Sequence, residues 1–255
     1  MIQAFEARWT PEALESHLEA GRRVDRVRAE AFALIHERTR NGAALQEVEV
    51  QRFVLDRFAA AGLITDSGPI VGVNANAANP HYLPTEEVTS PIRSGDWVLL
   101  DMWAKLDQPG AVYYDITWTA FCGDHPSDRM RNVFSVVTGA RDAGIRRVQE
   151  AVAAGQLLRG FEVDDAVRAH IEGRGFGEYF THRTGHSIGQ EVHGSGANMD
   201  NLETHDERRI MPWSCFSIEP GVYLEEFGVR SEIDMFVGER EARVTGEVQL
   251  EMALL

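Results

Sequence analysis

Four carboxylates stand in or beside runs that otherwise read as strands of a core. Asp101 closes WVLLD, Asp115 sits in AVYYDITWTAF, Glu219 in CFSIEPG and Glu232 in VRSEIDMFV. A charged side chain rarely leaves water unless it is paired or binds a cation. A fold that buries these strands therefore has to meet the acids with positive charge. One histidine-rich run complements them. Thr181–Gly194 reads THRTGHSIGQEVHG and places His182, His186 and His193 among small residues, in a chain with only nine His. His186 reads as a metal ligand, and the other two as residues serving the chemistry around it. With 40 Asp and Glu in the chain, no single acid carries the argument; the set Asp101, Asp115, His186, Glu219 and Glu232 does.

Four carboxylates and one imidazole are oxygen-rich. They suit two divalent ions of the Mn, Co, Fe or Zn type better than one tetrahedral structural zinc, which prefers Cys and His. Two ions about 3.5–4 Å apart can hold a shared hydroxide and polarise a carbonyl. The sequence contains no HExxH, so the single-zinc protease pattern is absent. Cys122 has no evident activating partner, which makes it a weak nucleophile candidate.

The pattern along the chain alternates helices and strands. Thr10-Pro11 resembles an N-cap followed by proline in the first turn. Apolar residues then recur at Leu14, Leu18, Val24, Val27, Ala31 and Leu34, which predicts a helix to about Arg40. A second helix fits Leu45–Ala61, closed by Gly62. GPIVGVNANAANPHYLPT reads as a strand edge running into loops. Trp97–Met102 and Ala111–Phe121 read as a hairpin about AKLDQPG. Helices are expected over Ser127–Ala154 and Phe161–Gly173, strands over Trp213–Tyr223 and Gly228–Val237, and a last strand and tail after Ala242.

A net charge of −15 argues against nucleic acid or an anionic membrane surface as partner. No apolar run is long enough to span a bilayer, and MIQAFEARWTPEALE does not read as a signal peptide, so a cytoplasmic location is expected. Cys122 and Cys215 read as two buried free thiols. Residues 31–63 and 144–176 align without gaps at an offset of 113, matching Glu37/Glu150, Gly42/Gly155, Leu45/Leu158, Glu49/Glu162, Val50/Val163, Val54/Val167 and Gly62/Gly175. With no Ser/Gly-rich linker between the halves, the expectation is one domain over 1–255. Its pseudo-symmetric halves would run over about 20–125 and 130–245, with the site between them and no separate N-terminal domain.

The order Asp, Asp, His, Glu, Glu, with GHSIG, a following VHG, IEPGVY and VRSE, resembles the pita-bread metallopeptidases: methionine aminopeptidase, aminopeptidase P, prolidase and the non-peptidase creatinase. The likeness runs over about residues 15–250. It implies an α+β fold of two αβ halves, with a curved antiparallel sheet and helices outside. It also implies two divalent ions, manganese ahead of Co, Zn or Fe. Asp101 then resembles the ligand of one ion, Asp115 and Glu232 the bridging carboxylates, and His186 and Glu219 the ligands of the other. Glu219 matches the carboxylate that handles the proton of a metal-bridging hydroxide. His81, in NPHY, matches a substrate-facing His, and His193 one that contacts the scissile carbonyl. His182 and Arg230 match the aminopeptidase P and prolidase branch, Arg230 as an orienter of metal-bound carboxylates.

The implied activity is hydrolysis of the N-terminal bond of short peptides, with Xaa-Pro the leading guess, by a chain that works alone or as a homodimer. Three departures stand out: a hairpin longer by a few residues around KLDQPGAVY, Trp103 in place of the usual Gly, and Trp118 in place of a basic residue. Both Trp residues are expected to line or narrow the pocket. Two rival readings remain at this level: a creatinase-like hydrolase or lyase of a small non-peptide molecule, and a non-catalytic peptide-binding module.

Overall fold

The structure, a computed structural model, describes residues 6–43 and 45–255. The opening MIQAF, part of the stretch read for a leader, lies outside the described residues. The first half of the chain runs α1 (Pro11–Arg40), β1 (Leu45–Gln46), α2 (Glu47–Ala60), β2 (Leu63–Ile64), β3 (Ile70–Val73), β4 (Pro91–Ile92), β5 (Trp97–Leu106) and β6 (Tyr114–Phe121). The second runs α3 (Asp128–Ala153), α4 (Gly160–Glu172), β7 (Ser187–Ile188), β8 (Ser214–Ile218), β9 (Gly221–Tyr223), β10 (Gly228–Arg230), β11 (Ile233–Val237), β12 (Ala242–Thr245) and β13 (Ala253–Leu254). The 113-residue offset carries residues 47–60 of α2 onto 160–173, the span of α4 and its cap.

Helix α1 starts as its sequence dictates. The Thr10 side chain accepts from the Ala13 N–H, Pro11 occupies the first turn, and Arg38 and Arg40 face the C-terminal dipole. Its fully buried stripe is Ala20, Val24, Val27, Ala31 and Ile35, one position off the Leu34 expected from periodicity. This stripe packs with α2 on one face of the sheet β13-β6-β5-β2, where β3 also pairs with β5. Helices α3 and α4 pack against the second sheet, β12-β11-β8-β7. Among the described residues only β13 runs parallel to its neighbour; the other pairings are antiparallel.

The strand boundaries differ from the sequence reading for physical reasons. β5 continues to Leu106 because Leu106 pairs with Leu63 of β2 and packs in the core. The turn is therefore 107–113, and its end is bound elsewhere: the Tyr113 N–H donates to Gly189 O at 2.9 Å. The predicted strand 213–223 breaks at Glu219-Pro220, where proline has no N–H for a ladder. The predicted strand 228–237 breaks at Ser231-Glu232. There the Glu232 N–H crosses to Thr117 O of β6 at 3.1 Å. Both breaks fall at predicted ligands, and the second ties the two sheets together at one of them.

His17 of α1, expected to be an ordinary surface or core residue, is completely buried. Its Nδ1 meets Tyr113 O and its Nε2 meets Thr245 Oγ1, each at 2.6 Å. Burial pushes its pKa down to about 4. The unfolded chain thus takes up a proton near the usual histidine value while the folded chain does not, and stability is lost as pH falls from about 6.5 to 4. The shift is worth about 3 kcal/mol. His17→Gln is expected to flatten that part of the stability–pH curve, as read by urea melts at pH 7 and 4.5 on both proteins.

Candidate metal centre

On β5 and β6 every second side chain faces the same way. Asp101 and Trp103 therefore share a face, and across the ladder Asp101 lies opposite Thr117 and Trp103 opposite Asp115. The second sheet brings His186 from the turn before β7, Glu219 from the β8–β9 break and Glu232 from the β10–β11 break. Gly185 is required for this approach: a Cβ there would lie 1.9 Å from Ser217 O. The His186 N–H donates to Ser217 Oγ at 2.9 Å, and that hydroxyl donates to Glu219 Oε1 at 3.0 Å. The GHSIG segment is thereby locked to the Glu219 strand.

Asp115, His186 and Glu232 each offer one ligand atom, and these atoms lie within 4.8 Å of one another, all three residues being buried. His186 Nε2 is 3.5 Å from Asp115 Oδ2 and 3.4 Å from Glu219 Oε1, while its Nδ1 is turned to Ser187 O. Asp115 Oδ1 is buried with no hydrogen-bond partner, the state of an oxygen shaped to receive a cation. Asp101 lines the same cavity but is drawn to Arg230 Nη2, outside the three-residue group.

The electrostatics fit a cation. Burial, reinforced by Asp101 and Glu219, pushes Asp115 well above the usual carboxylate range, and burial with Asp115 does the same to Glu232. Burial also raises Asp101, although Arg230 pulls the other way. Glu219 ends below its usual range: burial opposes this, but His186, His182 and Arg230 outweigh it. Burial holds His186 below its ordinary value, which favours the neutral imidazole a metal needs. The donor set and the orphaned Asp115 oxygen thus fit divalent ions.

Around this group lies a cavity of about 480 Å³. His81 stands exposed in its lining, its backbone N–H donating to Asn79 Oδ1 at 3.0 Å. His193 also lines it, with its ring edge-on to His186 at 4.3 Å between centroids. His182 is half-buried and its Nε2 lies 2.6 Å from Tyr223 OH. That hydroxyl also accepts from Arg230 Nη1 at 3.1 Å. Arg230 further donates from Nε to Thr117 Oγ1 at 3.0 Å, and the Thr117 hydroxyl donates to Glu232 Oε2 at 2.7 Å. Tyr223 and Thr117 were not singled out from sequence. Thr117 was findable, since period-2 alternation from Asp115 puts it on the same face; Tyr223 gave no signal beyond its place in IEPGVY. Lys in place of Arg230 keeps the charge and loses the fork that reaches three partners. Arg230→Lys is expected to lower metal affinity or activity by about 10- to 100-fold, measured as the metal concentration for half-maximal activity.

Trp103 lines the cavity, as expected. Trp118 does not. It follows Thr117 by one residue, so its side chain leaves by the opposite face, where Arg28 stacks 3.6 Å over its ring. Cys122 and Cys215 are both free and buried, and burial raises both thiols, Cys122 to about 12. Neither is an activated nucleophile. Among the described residues no helix is long and apolar enough to cross a membrane.

Buried acids converging with one imidazole in an open cavity make a metal-binding class of site, and the αβ halves around it form the pita-bread fold. The chain belongs to the metallopeptidase family M24, which it matches over residues 15–239. It is 32% identical over 203 residues to the Xaa-Pro dipeptidase of Lactobacillus delbrueckii subsp. lactis, covering 79% of this chain and 50% of that one. The structure of an Xaa-Pro dipeptidase from Bacillus anthracis matches with a TM-score of 0.83 and 26% identity, over all of this chain and 66% of that one. An X-Pro aminopeptidase structure from Thermotoga maritima has the same fold, with a TM-score of 0.85 at 23% identity, over 100% of this chain and 66% of that one. The chain spans about half the length of the curated relatives it matches.

Proposed function

We propose that the chain carries the catalytic site of a dinuclear metal-dependent peptidase that hydrolyses the N-terminal peptide bond of short peptides, Xaa-Pro bonds first. The observation that carries this reading is the buried convergence of Asp115, His186 and Glu232, with Glu219 and Asp101 in the same cavity. The Xaa-Pro dipeptidase names of its relatives support the choice of bond. Asp115, His186 and Glu232, with Glu219 and Asp101 beside them, would hold the two ions. Mn is the leading metal, ahead of Co, Zn and Fe. When bound, the ions supply Lewis acidity that polarises the scissile carbonyl and eases deprotonation of a water.

The chain's own residues do the rest. Glu219 has Ser217 Oγ on Oε1, which leaves Oε2 to take a proton and later give it to the leaving nitrogen. His193, beside His186 on the cavity wall, donates to the carbonyl oxygen as it gains charge. Arg230 and Thr117 hold Asp101 and Glu232 in place from behind. His81 and His182, both in the cavity lining, would face the substrate. The test is a panel of dipeptides and tripeptides with and without Pro at the second position, given to metal-stripped protein reloaded with Mn or Co. Release of the first residue, fastest before Pro, is expected. Failure to cleave any of them overturns the reading.

A further inference from the structure

The cavity carries a feature that neither the metal set nor its supporting residues use. Trp103 stands directly opposite Asp115 in the ladder and on the same face, so its indole flanks the centre. Its Nε1–H donates to Asp66 Oδ1 at 2.7 Å. Asp66 comes from the loop after β2 and also lines the cavity. It is near enough to the centre for its charge to act on both Asp115 and His193.

Outside the buried acids that await a metal, the arginines of the wall are paired. Arg183 faces Glu203 at 3.9 Å, and Arg230 is bound to Asp101. Lys105, the next residue on the Trp103 face, turns its ammonium to Gln190 O and over the ring of Tyr113 at 4.7 Å. Among the described residues Asp66 has no cationic partner within ion-pair distance; a neutral indole N–H fixes its position. A carboxylate fixed at the edge of a cavity without a cationic partner is a receptor for a cation.

We infer that Asp66 and Trp103 form a subsite for a positively charged side chain, so that the enzyme selects peptides carrying Lys or Arg beside the scissile bond. This rests on the peptidase reading above. Two positions can deliver that charge, the first residue or the second, and Lys-Leu and Leu-Lys measured against Leu-Leu tell them apart. With the Mn-loaded enzyme, one of the two Lys peptides is expected to have a kcat/KM about two- to fivefold above Leu-Leu, since an ion pair with an exposed carboxylate is worth about that factor. Asp66→Asn is expected to bring the ratio close to one, and Asp66→Lys to invert it in favour of the matching Glu peptide.

Calorimetric binding of the same peptides to metal-free protein gives a readout without turnover, and the same order of affinities is expected. A protein that binds Lys peptides selectively but cleaves neither these peptides nor the Xaa-Pro panel sinks the peptidase reading and leaves the subsite standing. A protein that cleaves all three peptides alike overturns the subsite alone. So does a loss in Asp66→Asn that is equal for all three, because Asp66 would then be meeting the α-ammonium they share.

Discussion

Asp115→Asn is expected to lower kcat/KM on a short peptide by about 1,000-fold or more. Asp115 is the residue on which the site converges: it lies 3.5 Å from His186 and carries a buried oxygen without a partner. An amide there keeps the volume and removes the charge, and its NH2 group places a donor where a cation should sit. Losing several kcal/mol of transition-state charge stabilisation corresponds to about three powers of ten in rate. His186→Ala should be as damaging, because it removes the imidazole of the set. The measurement is kcat/KM beside bound metal per chain; the loss should follow the metal content. A variant that binds no metal and still cleaves at the parent rate would remove Asp115 from the mechanism.

The second large effect is on stability. Asp115 and Glu232 have raised pKa values in the folded, metal-free protein, first through burial and then through their acidic neighbours. The folded chain therefore holds protons that the unfolded chain has given up, and the metal-free fold loses stability as pH rises above the usual carboxylate range. Divalent ions replace those protons, so their binding releases protons and tightens with pH. At pH 8, metal at about 100 times its dissociation constant should add about 2.7 kcal/mol. For a chain of this size that is a rise in Tm of roughly 5–10 °C. The increment should shrink at pH 5 and vanish in Asp115→Asn. Thermal melts with and without Mn at the two pH values check it; a Tm at pH 8 indifferent to metal would oppose the buried-carboxylate account.

Much of the site was legible because charge in an apolar strand is so costly. Asp101, Asp115, Glu219 and Glu232 stood out for that reason, and the structure lines one cavity with all four and His186. What sequence spacing did not convey was direction and division. Trp118 was expected in the pocket, yet one residue of strand parity sends it to Arg28 on the other face. Asp101 belongs with the ligands by pattern, but its tie to Arg230 depends on two strands from different halves of the chain, 129 residues apart. The sequence reads through the breaks after Ile218 and Arg230 as continuous strands; Pro220 is a local signal for the first, but the cause of the second is tertiary, since the Glu232 N–H bonds to Thr117 O across the seam between the sheets. Tyr223 is uncharged, and Asp66 lies in a loop among many exposed acids. Their roles appear only when the indole of Trp103 and the guanidinium of Arg230 are in place.

The most direct test of the central claim is a metal titration of stripped protein against Xaa-Pro hydrolysis. Activity should be absent without metal, rise with added Mn and level off at about two ions per chain, as a two-ion centre requires. Full activity in metal-free protein would contradict the account.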